Sequence, residues 1–218
     1  YVNTRRMARR LSDLFGHQGT LLLPRIRLIT DLANDPAFAD GRERADPLAR
    51  RLELTQLVRK LIENQPGIAP PAAAFDLADS LAALMDEMQS EGVSPDSLSD
   101  LDVENHSEHG ARSRRCIDLV EQFTSDDTVV DAEARQRQAV TAMIRLWAIA
   151  PPKHPIIVAG STGSRATTRM VMEATAKLPQ GALVLPGFDF EMDLQGGDSL
   201  ADRRSSEDHP QYRFKALM

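Results

Sequence analysis

The chain has 218 residues, 42% hydrophobic and 27% charged, enough to bury a core in one large domain or two small ones. A single cysteine, Cys116, excludes a disulfide framework, a cysteine-ligated zinc site and a four-cysteine iron–sulfur cluster, and suits a reducing cytoplasm. The net charge of −6 is uneven: +5 over residues 1–60, −12 over 61–130 and +1 over 131–218, so only the amino-terminal part offers a cationic surface to phosphates.

Tyr1, Val2 and Asn3 read as the end of a strand, so a segment upstream of Tyr1 is expected. Thr4 follows as an N-cap, and Arg5 to Phe15 as a helix stopped by Gly16, with Met7, Ala8, Leu11, Leu14 and Phe15 on its apolar face. Thr20 to Ile29 is expected to be extended, with Pro24 placing it at an edge or splitting it. From Asp46 to Ala150 the pattern is helical. Leu48, Leu52, Leu57, Val58, Leu61 and Ile62 mark a helix ended by Pro66-Gly67; Phe75, Leu77, Ala78, Leu81, Leu84, Met85 and Met88 mark one ended near Gly92. Ser94 to Gly110 reads as a polar loop, Ile117 to Phe123 as a third helix, and Ala139 to Trp147 as a fourth that stops before Pro151-Pro152.

A strand, helix, strand unit closes the pattern. Ile156 to Ala159 is a short apolar run, Gly160 to Ser164 turns the chain, Val171, Ala174 and Leu178 recur at helical spacing, and Ala182 to Leu185 form the second strand. Residues 190–208 read as a polar loop and Arg213 to Met218 as a short helix. The implied plan is α/β: a parallel sheet begun by residues 1–45 and resumed at 153–218, with a helical subdomain inserted over 46–152. No apolar run reaches the ~18 to 20 residues of a membrane span and no stretch reads as a signal peptide, so a membrane partner is not expected.

The turn at Gly160, Ser161, Thr162, Gly163 and Ser164 has the small residues that let a helix N-terminus meet a phosphate, yet it lacks the chemistry to use one. No glycine in the chain is followed by lysine, so the P-loop lysine is missing. A magnesium-binding strand should end in a carboxylate, and Ile156 to Ala159 ends in Gly160-Ser161, with Asp189 after the second strand reading as a turn residue. These are degenerate nucleotide positions. Gly160, Gly163 and Ala166 also fit a loosened dinucleotide fingerprint, which keeps open an NAD(P)-binding, oxidoreductase-like alternative.

Arg5, Arg6, Arg9 and Arg10 form the strongest binding candidate, because pairs four apart present guanidinium rows along one helix, a geometry suited to backbone phosphates. The competing reading is a solvated helix face, or one paired with Asp13. Arg25 and Arg27 alternate along the next segment and continue the cationic surface, or act as charges that protect an edge strand. His106 and His109 beside Glu104 and Glu108 read as a surface accident rather than a metal site, His209 as structural, and Cys116 as a buried helix residue rather than a nucleophile.

Taken together, YVNTRRMARRL with LLLPRIRLITDL, the long block PIIVAGSTGSRATTRMVMEATAKLPQGALVLPGFD, and EDHPQYRFKALM resemble the amino-terminal region of the AddB family, the alphaproteobacterial-type subunit of AddAB helicase-nucleases that process double-strand breaks. The resemblance implies a RecA-like, superfamily one helicase-like domain with an inserted helical subdomain, recombinational repair as the process, DNA and the AddA helicase-nuclease subunit as partners, and a cytoplasmic location. It places Asn3, Thr4, Arg5 and Arg6 at a DNA-contacting motif after a strand, Ile156 to Ser161 at the magnesium-binding strand, and Val184 to Asp189 on the next motif strand. The family's nuclease and iron–sulfur residues lie in a carboxy-terminal domain outside this sequence. No catalytic residue and no cofactor is therefore expected here, although the full complex it resembles is an ATP-dependent helicase and exonuclease. A third reading, a pure protein-interaction module docking through the acidic helical middle, stays open.

Overall fold

The computed structural model describes residues 1–17, 19, 22–38, 43–44, 46–94, 97, 129–187 and 214. The expected third helix at Ile117 to Phe123, the His106 and His109 pair, Cys116, Asp189, the 190–208 loop, His209 and all of the Arg213 to Met218 helix except Phe214 lie outside these residues. The fold is mixed α and β, mostly helical, in two compact units: residues 1–38 with 139–218, and residues 39–138.

The first unit is built on a small parallel sheet. β3 (Ile156–Ala159) and β4 (Gly181–Val184) pair in parallel with Ile156 opposite Gly181, and α5 (Ala166–Ala176) connects them, as the sequence pattern predicts. Val2 extends the sheet by parallel bridges to Ala159 on one side and Leu28 on the other. Backbone bonds complete these bridges, from Val2 N to Arg27 O at 2.9 Å, from Ile29 N to Val2 O at 3.1 Å and from Ala159 N to Tyr1 O at 2.9 Å. The chain leaves Val2 through α1 (Arg5–His17) towards Leu28, and leaves β3 through α5 in the opposite direction towards β4. Parallel crossovers are right-handed as a rule, so two that run in opposite directions put their helices on opposite faces, in keeping with a core beside β3 that holds α5 residues and none from α1.

Burial follows that division. Ile156 and Val158 pack with Val171 and Met172 of α5, with Val140, Met143 and Trp147 of α4 (Ala132–Ile149), and with Ile29 and Leu32. Val2 shares the other face with Ala159 and is 2% exposed. The carboxyl half of α4, expected within the insertion over 46–152, carries an apolar stripe that packs in the core of this unit. The expected extended run to Ile29 ends early. Among its described residues only Leu28 finds a strand partner, and Ile29–Asn34 tightens into a 3-10 helix that buries Ile29 and Leu32, three residues apart.

In the second unit, α2 (Pro47–Asn64) starts with Asp46 as N-cap, its carboxylate accepting from Leu48 N and Ala49 N, and with proline at the first helical position. α3 (Ala74–Glu91) packs along it through Leu54, Val58, Ile62, Ala78, Leu81, Met85 and Met88. Two-residue strands β1 (Glu43–Arg44) and β2 (Val129–Val130) pair in parallel.

Candidate nucleic-acid interface

At the carboxyl end of the Val2 strand the chain turns through Asn3 and Thr4 into α1. Thr4 caps the helix as its sequence predicts, its Oγ1 accepting from Met7 N at 3.2 Å, so this hydroxyl is engaged in ending the backbone ladder. Asn3, Thr4, Arg5, Arg6, Arg9 and Arg10 are all exposed. None of the four arginines forms an ion pair with a described residue, and the pairing with Asp13 weighed from sequence is not formed.

The fold separates these arginines. Arg5 and Arg9 line a hollow of about 670 Å³ together with Ala8, Ile26, Arg27, Leu28, Asp31, Asn34, Asp35 and Pro36, whereas Arg6 and Arg10 do not. One wall of the hollow is therefore cationic and the other carries carboxylates and an amide. Arg27 is held in that second wall by an ion pair with Asp35, whose side chain is 15% exposed. Arg25, two residues earlier, is exposed and does not line the hollow. The cationic surface expected of both residues thus reduces, within the hollow, to Arg27.

Asp35 is anchored twice. Its Oδ1 accepts from Ala37 N at 3.1 Å, and this backbone bond, followed by the Arg27 guanidinium, holds its carboxyl below the usual value of 3.8. A depressed carboxylate contributes stability that is present above the unfolded value near 4 and lost as pH falls through the folded value. Thermal unfolding followed by circular dichroism between pH 2 and 6 should therefore show Asp35→Asn less stable than wild type above about pH 4. The gap should close as acid protonates Asp35, and a gap constant across that range would remove this role.

The second candidate, the turn after β3, lies at the same carboxyl end of the sheet. Gly160 takes φ +74, and its N–H donates to Val184 O at 2.9 Å. A Cβ here would collide with the thioether of Met7, so α1 itself covers this glycine. In a dinucleotide fold the corresponding space lets the backbone approach a pyrophosphate; here a side chain of α1 fills it. Ser161 is buried, its Oγ accepting from Gly163 N at 3.3 Å, while Thr162 is half-buried and Ser164 exposed. α5 begins after Arg165 with no side-chain cap.

The bridges of Val2 to both Leu28 and Ala159 bring the arginine helix and the glycine turn together at the point where strand order reverses. In open α/β sheets that is where ligands collect. Sequence reasoning treated the two features separately and missed Asp31, Asn34 and Asp35 altogether. The proximity of Asp35 to Arg27, eight residues apart across a turn, was the available signal. No family model, curated protein or solved structure matches the chain.

Proposed function

We propose that this chain is a helicase-like domain of the AddB type, RecA-like in plan and inactive as a motor, which binds and guides DNA during recombinational double-strand break repair while its subunit docks on AddA. The observation that carries the reading is the hollow beside α1, where Arg5 and Arg9 stand exposed and form no ion pair with a described residue, while Arg27 is paired with Asp35. Guanidinium groups four apart on a helix suit successive backbone phosphates and carry little sequence information. The motor is inactive in this reading because β3 ends in Gly160-Ser161 rather than in magnesium-binding carboxylates. A nicotinamide dinucleotide at the Gly160 turn is the weaker reading, since Met7 fills the approach to it.

Fluorescence anisotropy with a labelled 20-nucleotide single strand tests the proposal. Binding should weaken with salt, by a slope of about 0.7 in log affinity per log salt for each phosphate contact, and Arg5→Ala with Arg9→Ala should weaken it about 10-fold and flatten that slope by about 1.4. Unchanged affinity in the double variant would overturn DNA contact at this helix. Calorimetry with ATP and magnesium should give no binding; a strong signal would overturn the inactive-motor part.

A further inference from the structure

We infer that the face of the sheet beside α1, over β3 and β4, is a docking groove for an amphipathic helix with acidic flanks, presented by a protein partner. This goes beyond DNA binding and uses different residues. Both strands read as continuous apolar runs, IIVA and GALV, the pattern of strands covered on both faces. Among the described residues, only one face carries a packed core cluster. Ile156 and Val158 lie in the core with α4 and α5, while on the opposite face Ile157 is 49% and Val184 56% exposed.

The register sets these residues side by side, Ile157 next to Ala182 and Ala159 next to Val184, so the bare surface is a continuous apolar floor. On this face Val2 is buried, and Met7 of α1 reaches Gly160 at the end of β3. Met7, set against Gly160, and Leu14, two turns further along the same stripe of α1 and 44% exposed, make an apolar wall on that helix. Floor and wall together leave the position that a crossover helix occupies on the second face of a parallel sheet, which argues for a helix as the occupant.

Charge chooses the kind of helix. Arg10 is three residues after Met7 and four before Leu14, so it stands on the same edge of α1, and Arg6 lies one turn earlier. Both are exposed, neither forms an ion pair with a described residue, and neither lines the hollow. They put a cationic rim along the apolar groove, complementary to Asp or Glu flanking the apolar stripe of an incoming helix.

The test uses the full chain and two labelled 18-residue helical peptides with the same leucine stripe, one flanked by glutamate and one by lysine, read by fluorescence anisotropy. The glutamate peptide should bind at least 10-fold more tightly than the lysine peptide. Ile157→Lys and Val184→Lys, on exposed positions and checked for folding by circular dichroism, should each reduce that binding at least 10-fold while leaving single-strand DNA affinity unchanged. Arg6→Glu with Arg10→Glu should reverse the preference between peptides. Equal or absent binding of both peptides, or indifference to Ile157→Lys, overturns the inference. So does a concentration-dependent dimer that Ile157→Lys dissociates, because the occupant would then be a second copy of this chain.

Discussion

Gly181→Ala should destabilise the protein by about 3 kcal/mol, lowering the midpoint of thermal unfolding by about 6–12 °C. Gly181 opens β4, pairs with Ile156 and donates its N–H to Leu178 O at 3.1 Å. A Cβ at this position would overlap the carbonyl oxygen of Thr175 in the last turn of α5 and come within 3.1 Å of Leu178 Cβ. That carbonyl is backbone and already accepts from Leu178 N at 3.1 Å, so it cannot swing aside as a side chain would. The helix must lift from the strand, which opens the contacts of Val171 and Met172 with Ile156 and Val158. Gly16→Ala is the matched control: it lies within α1 with nothing near the added carbon, and should be neutral or stabilising by up to about 1 kcal/mol. Differential scanning of both variants checks the pair, and equal midpoints would show that α5 does not rest on β4 as closely as the structure has it.

The contrast between these glycines marks what the sequence could and could not show. The β3, α5, β4 unit was legible because each of its signals is local: an apolar run, a small-residue turn, and apolar residues at helical spacing. The start of α2 was legible for the same reason, since Asp46 before Pro47 is a complete capping signal within a few residues. Gly16 misled as a stop because a glycine in the last turn costs a helix only about 1 kcal/mol, and α1 continues to His17. The run from Thr20 to Ile29 was legible only in part, because a strand exists only where it has a partner, and among its described residues the bridge is Leu28 with Val2. The candidate site was legible as arginines and glycines. Its arrangement was not, because the hollow and the Met7 cover on Gly160 depend on Val2 bridging two segments more than a hundred residues apart in sequence. No local pattern encodes that pairing.

Arg50→Ala should destabilise the helical unit by about 3 kcal/mol, more than any change to the exposed Arg51. Arg50 on α2 is 14% exposed and sits between two carboxylates, with Nη1 donating to Asp86 Oδ1 at 3.0 Å and Nη2 at 2.7 Å from Asp131 Oδ2. The second contact is off hydrogen-bonding direction, so Coulomb attraction rather than a directed bond holds Asp131, whose side chain is 13% exposed. Asp131 also accepts from Gln89 Nε2 at 2.9 Å, which ties α3 to the residue just before α4. Removing the guanidinium strands this carboxylate in a place where water reaches it poorly, and an uncompensated charge costs more there than the pair contributed. Arg51, by contrast, makes a bidentate pair with Asp79 at 2.7 Å and covers the Phe75 ring at 5.7 Å, but both partners are near half exposed and water replaces most of what is lost. Urea unfolding followed by far-ultraviolet circular dichroism separates the two. Adding Asp131→Asn to Arg50→Ala should recover part of the lost stability by removing the stranded charge, whereas a simple packing defect at Arg50 would leave the double variant no better than the single one.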